Sequence, residues 1–350
     1  MSGPPALAAA LRCRREGHAL PREFHLDESI YEYELDAIWR RSWLLAGRSA
    51  QAAEPGEFFR FDVAAYSVVV VRDEAGTLHA LHNTCRHRGM PVCLEPAGVV
   101  KRWVCPYHRW SYGLDGRLLG CDGIEDVIDV DEYGLHRIAV AEVGRLVFVW
   151  LSGSASRFED AGRELGAALC TAGARAGEGC PPDRLRRPCE LEAGLAGLYR
   201  FPREDRWWAA KRTPLAPGFV TESLDGAPVT PLMGDYPDYD VGTLRVRTVP
   251  SFWMHASADH AVVTRLTPAG PHRTMIRVQW LVDRDAVEGR DYQLGRLLPF
   301  WRLTSEQDWS LCERNHSGVC NPAFTPGPYS PEREYNVAAF DAWYLRRLTG

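Results

Sequence analysis

The chain of 350 residues lacks the features that mark several large classes of protein. It has no apolar run that approaches the roughly 20 residues of a membrane-spanning helix. Its N-terminal stretch places a brief apolar patch ahead of its charges, the reverse of a secretory signal peptide. The 41 basic residues are scattered among 46 acidic ones, for a net charge of −5, so no nucleic-acid or membrane-surface patch is predicted. We therefore expect a cytoplasmic protein with neither kind of partner.

The order of sequence patterns predicts an N-terminal helix followed by strands. Residues 26–47 carry apolar side chains at helical spacing, with Asp27 as a cap and Gly47 as the end of the helix. Alternating stretches rich in Val and Phe follow, with a hairpin turn at residues 74–76. Short strands with turn signals continue to about residue 152, which indicates a compact all-β domain.

The second half of the sequence begins with a boundary and then changes character. Residues 152–188 are rich in Ala, Gly and Arg and predict a short helix followed by a loop. Strand patterns resume near residue 207, and the chain ends in helical patterns. We divide the chain into three parts: residues 1–45, an N-terminal helical segment that packs on the C-terminal domain; residues 46–152, the all-β domain; and residues 153–350, an α+β domain.

Two cysteine–histidine pairs lie in the all-β region. After Cys85-x-His87 come seventeen intervening residues and then Cys105-x2-His108. In a zinc finger both cysteines share one knuckle and both histidines share a helix, whereas here each loop supplies one of each. A two-iron cluster with unlike ends needs that division, because two thiolates hold one iron and two imidazoles hold the other. Zinc stays the alternative.

The segments "CRHRG" and "CPYHRWSYGLDG" resemble the Rieske [2Fe–2S] motif almost residue for residue, including the glycines and Pro106. The resemblance implies that Cys85, His87, Cys105 and His108 hold the cluster, and that loop amides approach the sulfurs. Two further cysteines lie near the motif. We interpret Cys93 as a small buried apolar residue, and a Cys93–Cys121 disulfide as the less favoured alternative in a reducing compartment.

The resemblance extends to nearly the whole chain. "YEYELDAIWRRSWLLAGR", "WLVDRDAVEGRDY", "SEQDWSLCERN" and "PGPYS" are similar to the α subunit of Rieske non-heme iron aromatic-ring-hydroxylating oxygenases, and to the branch acting on betaine- and carnitine-like quaternary amines. The similarity is weak only at residues ~152–206. It implies a helix-grip α+β catalytic domain and a trimer. In that trimer the cluster of one subunit reduces a mononuclear Fe(II) in the next.

The family holds that iron with Glu/Asp-x2-His-x4-His on one helix and a later aspartate. This sequence has no histidine between His136 and His255. If Glu190 is set on the first acid of the motif, Ala193 and Leu198 fall where the histidines belong. The later aspartate is retained in "SEQDW" as Asp308, although a surface carboxylate on a helix is the favoured interpretation of it. The mononuclear triad is therefore predicted to be absent, and Fe(II) binding there is doubtful.

Other histidines of the chain are weak candidates to replace the missing ligands of the mononuclear iron. His255 and His260 have the H-x4-H spacing, but the stretch around them predicts strand, turn and strand, which does not present two residues to one point as a helix does. His316 follows Asp308 by two turns and is interpreted as exposed or structural.

Three functions are compatible with the sequence. The preferred one is a Rieske subunit that passes electrons to the mononuclear iron of a paralogous oxygenase α subunit in a mixed, trimer-based oligomer. The second is a stand-alone oxygenase with a remodelled iron site, performing hydroxylation or demethylation, and the third is a non-catalytic redox sensor or scaffold. The first two need a flavin reductase or ferredoxin as electron donor, because the chain has no Gly-rich dinucleotide fingerprint.

Overall fold

The computed structural model describes residues 3–121, 123–124, 126–153, 155, 158–170, 201 and 207–350. The chain forms two compact units. The smaller unit comprises Trp39–Phe158 and Thr267–Ala269, and the larger comprises Met1–Ile38, Glu159–Leu266 and Gly270–Gly350. None of the helices in these described ranges is both long and apolar enough to cross a membrane.

The described residues form short strands and a few helices. The helices are α1 (Pro5–Cys13), α2 (Glu23–Leu26), α3 (Glu28–Ala37), α4 (Glu159–Cys170), α5 (Leu294–Leu297), α6 (Pro299–Cys320) and α7 (Tyr335–Thr349). The strands are β1 (Leu44–Arg48), β2 (Glu57–Val63), β3 (Tyr66–Arg72), β4 (Leu78–His82), β5 (Ala97–Val99), β6 (Trp103–Val104), β7 (Ser111–Tyr112), β8 (Leu118–Gly120), β9 (Arg137–Val143), β10 (Leu146–Trp150), β11 (Trp208–Thr213), β12 (Thr243–Thr248), β13 (Phe252–Ala256), β14 (Ala261–Gly270) and β15 (Arg273–Leu281).

The smaller unit is all-β, as the alternating patterns predict. Its main sheet has the strand order β1-β10-β9-β4-β3-β2-β5, and a three-stranded sheet has the order β6-β7-β8. The main sheet buries both faces. Phe58 and Val69 belong to the core beneath the three-stranded sheet, whereas Phe59 and Val70 belong to a second core on the opposite face. Burial on both faces explains why β3 contains four consecutive buried valines, residues 68–71.

The larger unit is built on a five-stranded antiparallel sheet with the sequential order β11-β12-β13-β14-β15. On β13 the alternation of side chains separates two environments. Phe252, Met254 and Ala256 are buried, whereas Trp253 and His255 are half-buried on the other face. The C-terminal helices α5 to α7 follow the sheet in sequence, which is the antiparallel α+β arrangement that the sequence predicts.

The predicted N-terminal helix is correct at its start and wrong at its end. The Asp27 carboxylate accepts hydrogen bonds from the backbone N–H groups of Ser29 (2.9 Å) and Ile30 (3.2 Å), so it caps α3 as expected. The helix ends at Ala37, not at Gly47. Gly47 lies in β1, which pairs with β10, and this tertiary pairing overrides the helical spacing of the apolar residues.

The N-terminal helices pack against the C-terminal ones within the larger unit. The Tyr344 hydroxyl on α7 donates a hydrogen bond to the Glu34 carboxyl on α3. Burial raises the pKa of Glu34 to about 7. Near the start of α7, the Tyr329 hydroxyl donates to Asp341 at 2.8 Å. The contact between Tyr344 and Glu34 joins residues 310 positions apart in the chain.

Candidate metal centre and histidine cluster

The two cysteine–histidine segments form loops of the same backbone geometry, which we call the twin loops: residues 85–90 and 105–110. In each loop the N–H of the cysteine donates to the carbonyl of the sixth residue, at 2.9 Å in the first loop and 2.8 Å in the second. The N–H of the fifth residue donates back to the cysteine carbonyl at 3.0 Å in both. The fifth residues, Gly89 and Arg109, have φ values of 79° and 60°. The sequence motif therefore folds into two closely matched local structures.

The twin loops bring four side chains together at one edge of the smaller unit. The thiols of Cys85 and Cys105 are each only 2% exposed. The imidazole rings of His87 and His108 lie 4.7 Å apart, centroid to centroid, and His87 is exposed. The site thus has a buried sulfur side and an imidazole side that reaches solvent.

Neighbouring aromatic and amide groups hold these side chains in place. Trp110 stacks on His87 with ring centroids 4.8 Å apart and planes 5° from parallel. The Tyr112 hydroxyl lies 3.1 Å from the Cys85 sulfur and accepts the backbone N–H of Arg86 at 3.1 Å. Backbone N–H groups of Tyr107 and His108 point at the Cys105 sulfur. Donors aimed at a sulfur stabilise its thiolate form.

A second layer fixes the first loop to its surroundings. The Asn83 amide donates to the Cys93 carbonyl (2.8 Å) and accepts the Cys93 N–H (2.9 Å), so Asn83 clamps the segment after the loop. The Arg86 guanidinium donates to the carbonyls of Glu132 and Gly134. Sequence reasoning missed Asn83 and the role of Tyr112. Asn83 lies just before Cys85 and Tyr112 lies shortly after Cys105, but only the fold shows what their side chains contact.

The residues of this edge fit a two-iron cluster. Two buried thiols lie beside each other, and the buried Nδ1 of His108 has no hydrogen-bond partner among the described residues. A lone buried imidazole nitrogen is typical of a metal ligand. No three His, Cys, Asp or Glu side chains in the described ranges are grouped as a single ion needs. A cluster of two irons takes only two protein ligands at each iron.

The larger unit contains a second group of interest, which we call the histidine cluster: His255, His260 and Trp301 with their carboxylate neighbours. The Trp301 indole N–H on α6 donates to Nε2 of His260 at 3.3 Å. The same indole meets the His255 ring edge-on, with centroids 4.9 Å apart. The predicted strand–turn–strand is correct, and the tertiary structure adds a helix residue that contacts both histidines.

The carboxylates behind the histidines are buried and paired. Asp259 Oδ1 lies 2.9 Å from His260 Nδ1, and Glu222 Oε1 lies 3.5 Å from His255 Nδ1, a nitrogen that makes no hydrogen bond among the described residues. Burial alone raises the pKa of both carboxyls, but their histidine and hydroxyl partners outweigh it and hold each pKa below its ordinary value. Since Asp259 and Trp301 engage both ring nitrogens of His260, that imidazole has no lone pair left for a metal.

Asp308 lies on α6, seven residues after Trp301, and is exposed. Seven residues are nearly two helical turns, so Asp308 is on the same face of α6 as the indole that contacts the two histidines. Its place on the helix surface agrees with the favoured interpretation of the sequence. Whether it binds iron stays a prediction.

Several predicted features lie outside the described residues or play other parts. Glu190, Ala193 and Leu198 are outside them, so the predicted loss of two iron ligands stays a prediction. Cys93 and Cys121 are both buried, and the structure joins neither of them in a disulfide. The His316 ring lies 5.8 Å from the ring of His272, centroid to centroid.

Comparisons with known proteins agree with this arrangement. Residues 42–130 match the Rieske [2Fe–2S] domain family, and residues 203–350 match the family of the ring hydroxylating alpha subunit, catalytic domain. The chain is 34% identical, over 391 aligned residues, to the glycine betaine monooxygenase oxygenase subunit of Chromohalobacter salexigens, covering 97% of this chain and 88% of that protein. The chain belongs to the Rieske ring-hydroxylating oxygenase α-subunit family. It therefore contains a Rieske [2Fe–2S] domain, and the resemblance seen in its motifs is confirmed.

Other relatives of this Rieske α subunit give the same result. The corresponding subunit from Pseudomonas aeruginosa (strain UCBPP-PA14) is 32% identical over 98% of this chain and 92% of that protein. Among solved structures, the quaternary ammonium Rieske monooxygenase CntA in complex with an inhibitor superposes with a TM-score of 0.72. That match covers 100% of this chain and 99% of the other at 17% identity, and it confirms the predicted α+β fold.

Proposed function

We propose that this chain is an electron-transferring subunit of a Rieske oxygenase, which reduces the mononuclear iron of a paralogous α subunit in a trimer-based oligomer. The observation that carries the proposal is the geometry of the twin loops. Cys85, His87, Cys105 and His108 would hold the [2Fe–2S] cluster there. When bound, that cluster takes up and releases one electron at a time, at a higher potential than an all-cysteine cluster.

The cysteine and histidine residues of the site have different roles. Burial raises the pKa of the Cys105 thiol, and the backbone N–H groups of Tyr107 and His108 oppose that rise. The Tyr112 hydroxyl lies 3.1 Å from the Cys85 sulfur. The imidazole of His87 stands at the surface and is stacked on Trp110, so its orientation is fixed while its edge remains accessible. The exposed imidazole edge is therefore the place where a redox partner can approach most closely.

Two features favour an acceptor iron on another subunit. The sequence has no histidine between His136 and His255, the region in which the family carries both histidine ligands. In the histidine cluster, His260 has both nitrogens engaged and His255 faces Glu222. We infer that the paralogous subunit supplies the iron, and that a flavin reductase or ferredoxin supplies the electrons.

The similarity to glycine betaine monooxygenases supports a substrate class for the complex. Two relatives with that name cover nearly all of this chain at 32–34% identity. We propose that the assembled oxygenase oxidises a small quaternary ammonium compound of the betaine or carnitine type, at the iron of the partner subunit.

The first experiment is to count iron and acid-labile sulfide on anaerobically purified chain and to record the EPR spectrum of the reduced protein. We expect about two irons and two sulfides per chain with only a Rieske signal. We also expect no oxidation of glycine betaine by the chain with a reductase, and oxidation once the paralogous subunit is co-expressed. A stoichiometric third iron in the isolated chain contradicts the proposal.

A stand-alone oxygenase with a remodelled iron site is the second candidate. Its support is that the buried Nδ1 of His255 has no hydrogen-bond partner among the described residues, that Asp308 lies on the same face of α6 as Trp301, which contacts His255, and that the relatives are named as oxygenases. Iron analysis of His255→Ala and Asp308→Ala separates the candidates. Loss of a third iron and of substrate oxidation in either variant favours a remodelled site, whereas an unchanged count of two irons supports the electron-transferring subunit.

A further inference from the structure

The larger unit contains a pocket of about 430 Å³, lined by residues that lie outside the twin loops and the histidine cluster. Two segments of the chain form its walls. Residues 228–231 and Tyr239 make the first wall, and residues 290–293 and Arg296 make the second. Pockets that hold small molecules have volumes of roughly 300–1,000 Å³. This pocket is therefore large enough for a small ligand, and the chemistry of its lining indicates which kind.

The first wall is held in place by hydrogen bonds to Asp259. The Val229 N–H donates to Asp259 Oδ2 at 2.9 Å, and the Thr230 hydroxyl donates to the Asp259 carbonyl at 2.5 Å. Val229 and Thr230 are both buried. The Tyr239 hydroxyl donates to the Thr230 carbonyl at 3.4 Å, which keeps the tyrosine ring beside this wall. The wall is formed before any ligand arrives, so binding costs little conformational entropy.

The second wall is a turn that its own hydrogen bonds close. Asp291 Oδ2 accepts the Val287 N–H at 2.9 Å, and the Tyr292 carbonyl accepts the Gly289 N–H at 2.8 Å. Tyr292 is half-buried, as is the tyrosine of the first wall. Each wall therefore contributes one tyrosine to the pocket.

The charged side chains of the pocket form two pairs of different strength. The Arg290 guanidinium donates to both carboxylate oxygens of Asp291, at 2.6–3.1 Å. Among the described residues, Arg296 meets one carboxylate, that of Asp225, through a single contact of 3.3 Å between two exposed side chains. A guanidinium has five N–H donors, and an exposed ion pair is weak. Arg296 therefore has donors left for a ligand, whereas Arg290 is committed to its neighbour.

This lining fits a small molecule that carries both a carboxylate and a substituted ammonium group. Arg296 supplies the planar N–H donors that match a carboxylate. Tyr239 and Tyr292 supply aromatic rings, to which a quaternary ammonium group binds although it has no N–H to donate. Asp291 adds a negative charge on the same side as Tyr292. We propose that the pocket binds such a zwitterion, since a simple anion or cation would leave half of the lining unused.

The ligand belongs to the chemical class proposed above for the substrate of the complex, and in that respect the inference rests on the proposed function. The pocket is nevertheless far from Asp308 along the chain. Asp308 lies nine residues after the first residue of α6, about 14 Å along the helix, whereas Arg296 precedes α6. The zwitterion is held and released unchanged, so binding in the pocket includes no redox or covalent step.

The test is equilibrium dialysis of radiolabelled glycine betaine against the purified chain with its cluster. Binding is measured directly because osmolytes raise thermal stability without occupying a site. Arg296→Gln removes the cation that takes the carboxylate. Tyr292→Leu removes one ring, and Tyr292→Phe keeps it. Arg284→Gln is the matched control, because Arg284 is also an exposed arginine beside an exposed aspartate in the same unit.

We expect saturable binding of glycine betaine to the parent chain. The affinity should fall about tenfold in Arg296→Gln and about fivefold in Tyr292→Leu, because each variant removes one of the two groups that recognise the zwitterion. Tyr292→Phe and Arg284→Gln should stay within about twofold of the parent. Acetate and tetramethylammonium, which each carry half of the ligand, should compete at least about tenfold less well than unlabelled glycine betaine.

Four results would overturn the proposal. The first is the absence of saturable binding to the parent. The second is an affinity that either Arg296→Gln or Tyr292→Leu leaves unchanged, or that Arg284→Gln lowers equally. The third is competition by acetate or tetramethylammonium as strong as that by glycine betaine, which would indicate a site for a simple ion. The fourth is loss of binding in Asp308→Ala, which would place the ligand farther along α6.

The assay separates this inference from the proposed function. It measures binding alone and needs no electron donor, partner subunit or mononuclear iron. A third iron in the isolated chain would contradict the proposed function and leave the effect of Arg296→Gln intact. An absence of binding would remove the zwitterion site and leave the iron count of the chain intact.

Discussion

The twin loops and the histidine cluster are built in opposite ways. The cysteine, histidine and aromatic side chains of the twin-loop site come from residues 85–112, and the backbone hydrogen bonds that shape it close within six-residue loops. The histidine cluster joins residues 221–260 to Trp301 on α6, across a sheet and a helix. The first can be recognised in a short motif. The second exists only when distant elements pack together, and its polar groups bind one another.

The largest expected effect breaks the local site. Cys105→Ala removes one thiolate from the twin loops, and we expect loss of the cluster, with iron and sulfide falling from about two of each per chain to near zero. His136→Ala is the matched control, since His136 lies in the same unit outside both loops. If Cys105→Ala keeps a full cluster, the twin loops do not hold it in the way proposed.

The second largest effect is expected from disrupting the hydrogen-bond network around Asp259. Asp259 accepts hydrogen bonds from Thr221 Oγ1 (2.6 Å) and from the Val229 N–H (2.9 Å), and it faces His260. Asp259→Asn places an amide N–H₂ donor where a carboxylate oxygen accepts one of these hydrogen bonds. We therefore expect the free energy of unfolding in urea to fall by about 3–5 kcal/mol. The Rieske EPR signal should persist at low urea.

The control for that experiment is Asp285→Asn, whose carboxylate is 68% exposed beside Arg284. An exposed ion pair of this kind contributes little to stability, so we expect Asp285→Asn to lower the free energy of unfolding by less than about 0.5 kcal/mol. If Asp259→Asn lowers stability as little as Asp285→Asn does, the hydrogen-bond network around Asp259 does not stabilise the fold.

A third experiment uses pH to examine the long-range contact between α3 and α7. Burial raises the pKa of Glu34 to about 7 in the folded protein, above its ordinary value near 4.5. The folded state therefore holds a proton that the unfolded state releases, and this contribution to stability is lost as pH rises from 4.5 through 7. The total is on the order of 3 kcal/mol.

Thermal unfolding across pH 4.5–8.5 checks this expectation. The Tm of the parent should fall with rising pH more steeply than that of Glu34→Gln, which keeps a neutral hydrogen-bonding group beside Tyr344 at every pH. Parallel curves for the two proteins would exclude a buried neutral Glu34.

The smallest expected effect sharpens the comparison within the twin loops. Gly89 has φ 79°, and a Cβ there meets no atom within 4 Å, so only backbone strain opposes a side chain. Gly89→Ala should cost about 1 kcal/mol in urea unfolding. Gly120→Ala, in β8 without positive φ, is the control. Equal effects of the two substitutions would argue against a left-handed conformation in the first loop.

Much of the fold follows from local sequence patterns. The hairpin at residues 74–76, the Asp27 cap, and the strands β11 to β15 are where the alternation and turn residues predict them. The helix predicted to reach Gly47 is wrong because the apolar residues of 44–48 satisfy a strand as well as a helix, and their pairing with β10 decides. A short apolar segment does not carry enough information to choose between the two.

For the candidate sites, the same limit applies more strongly. Cys85, His87, Cys105 and His108 are predicted as cluster ligands from their division between two short loops and from the resemblance to the Rieske motif. The supporting contacts of Asn83 and Tyr112 leave no such pattern. Nor does the contact of Trp301 with both His255 and His260, because an indole more than forty residues away in the sequence is indistinguishable from any other aromatic side chain.

The sequence by itself determined the family and the α+β fold class, and it predicts the four cluster ligands, because each depends on order and spacing within short segments. Only the tertiary structure decided that Gly89 and Arg109 adopt matching backbone conformations, that His260 is fully engaged by Asp259 and Trp301, and that α3 closes on α7 through Glu34. The physical reason is that hydrogen bonds, burial and charge act through space, and packing brings together residues that the chain keeps far apart.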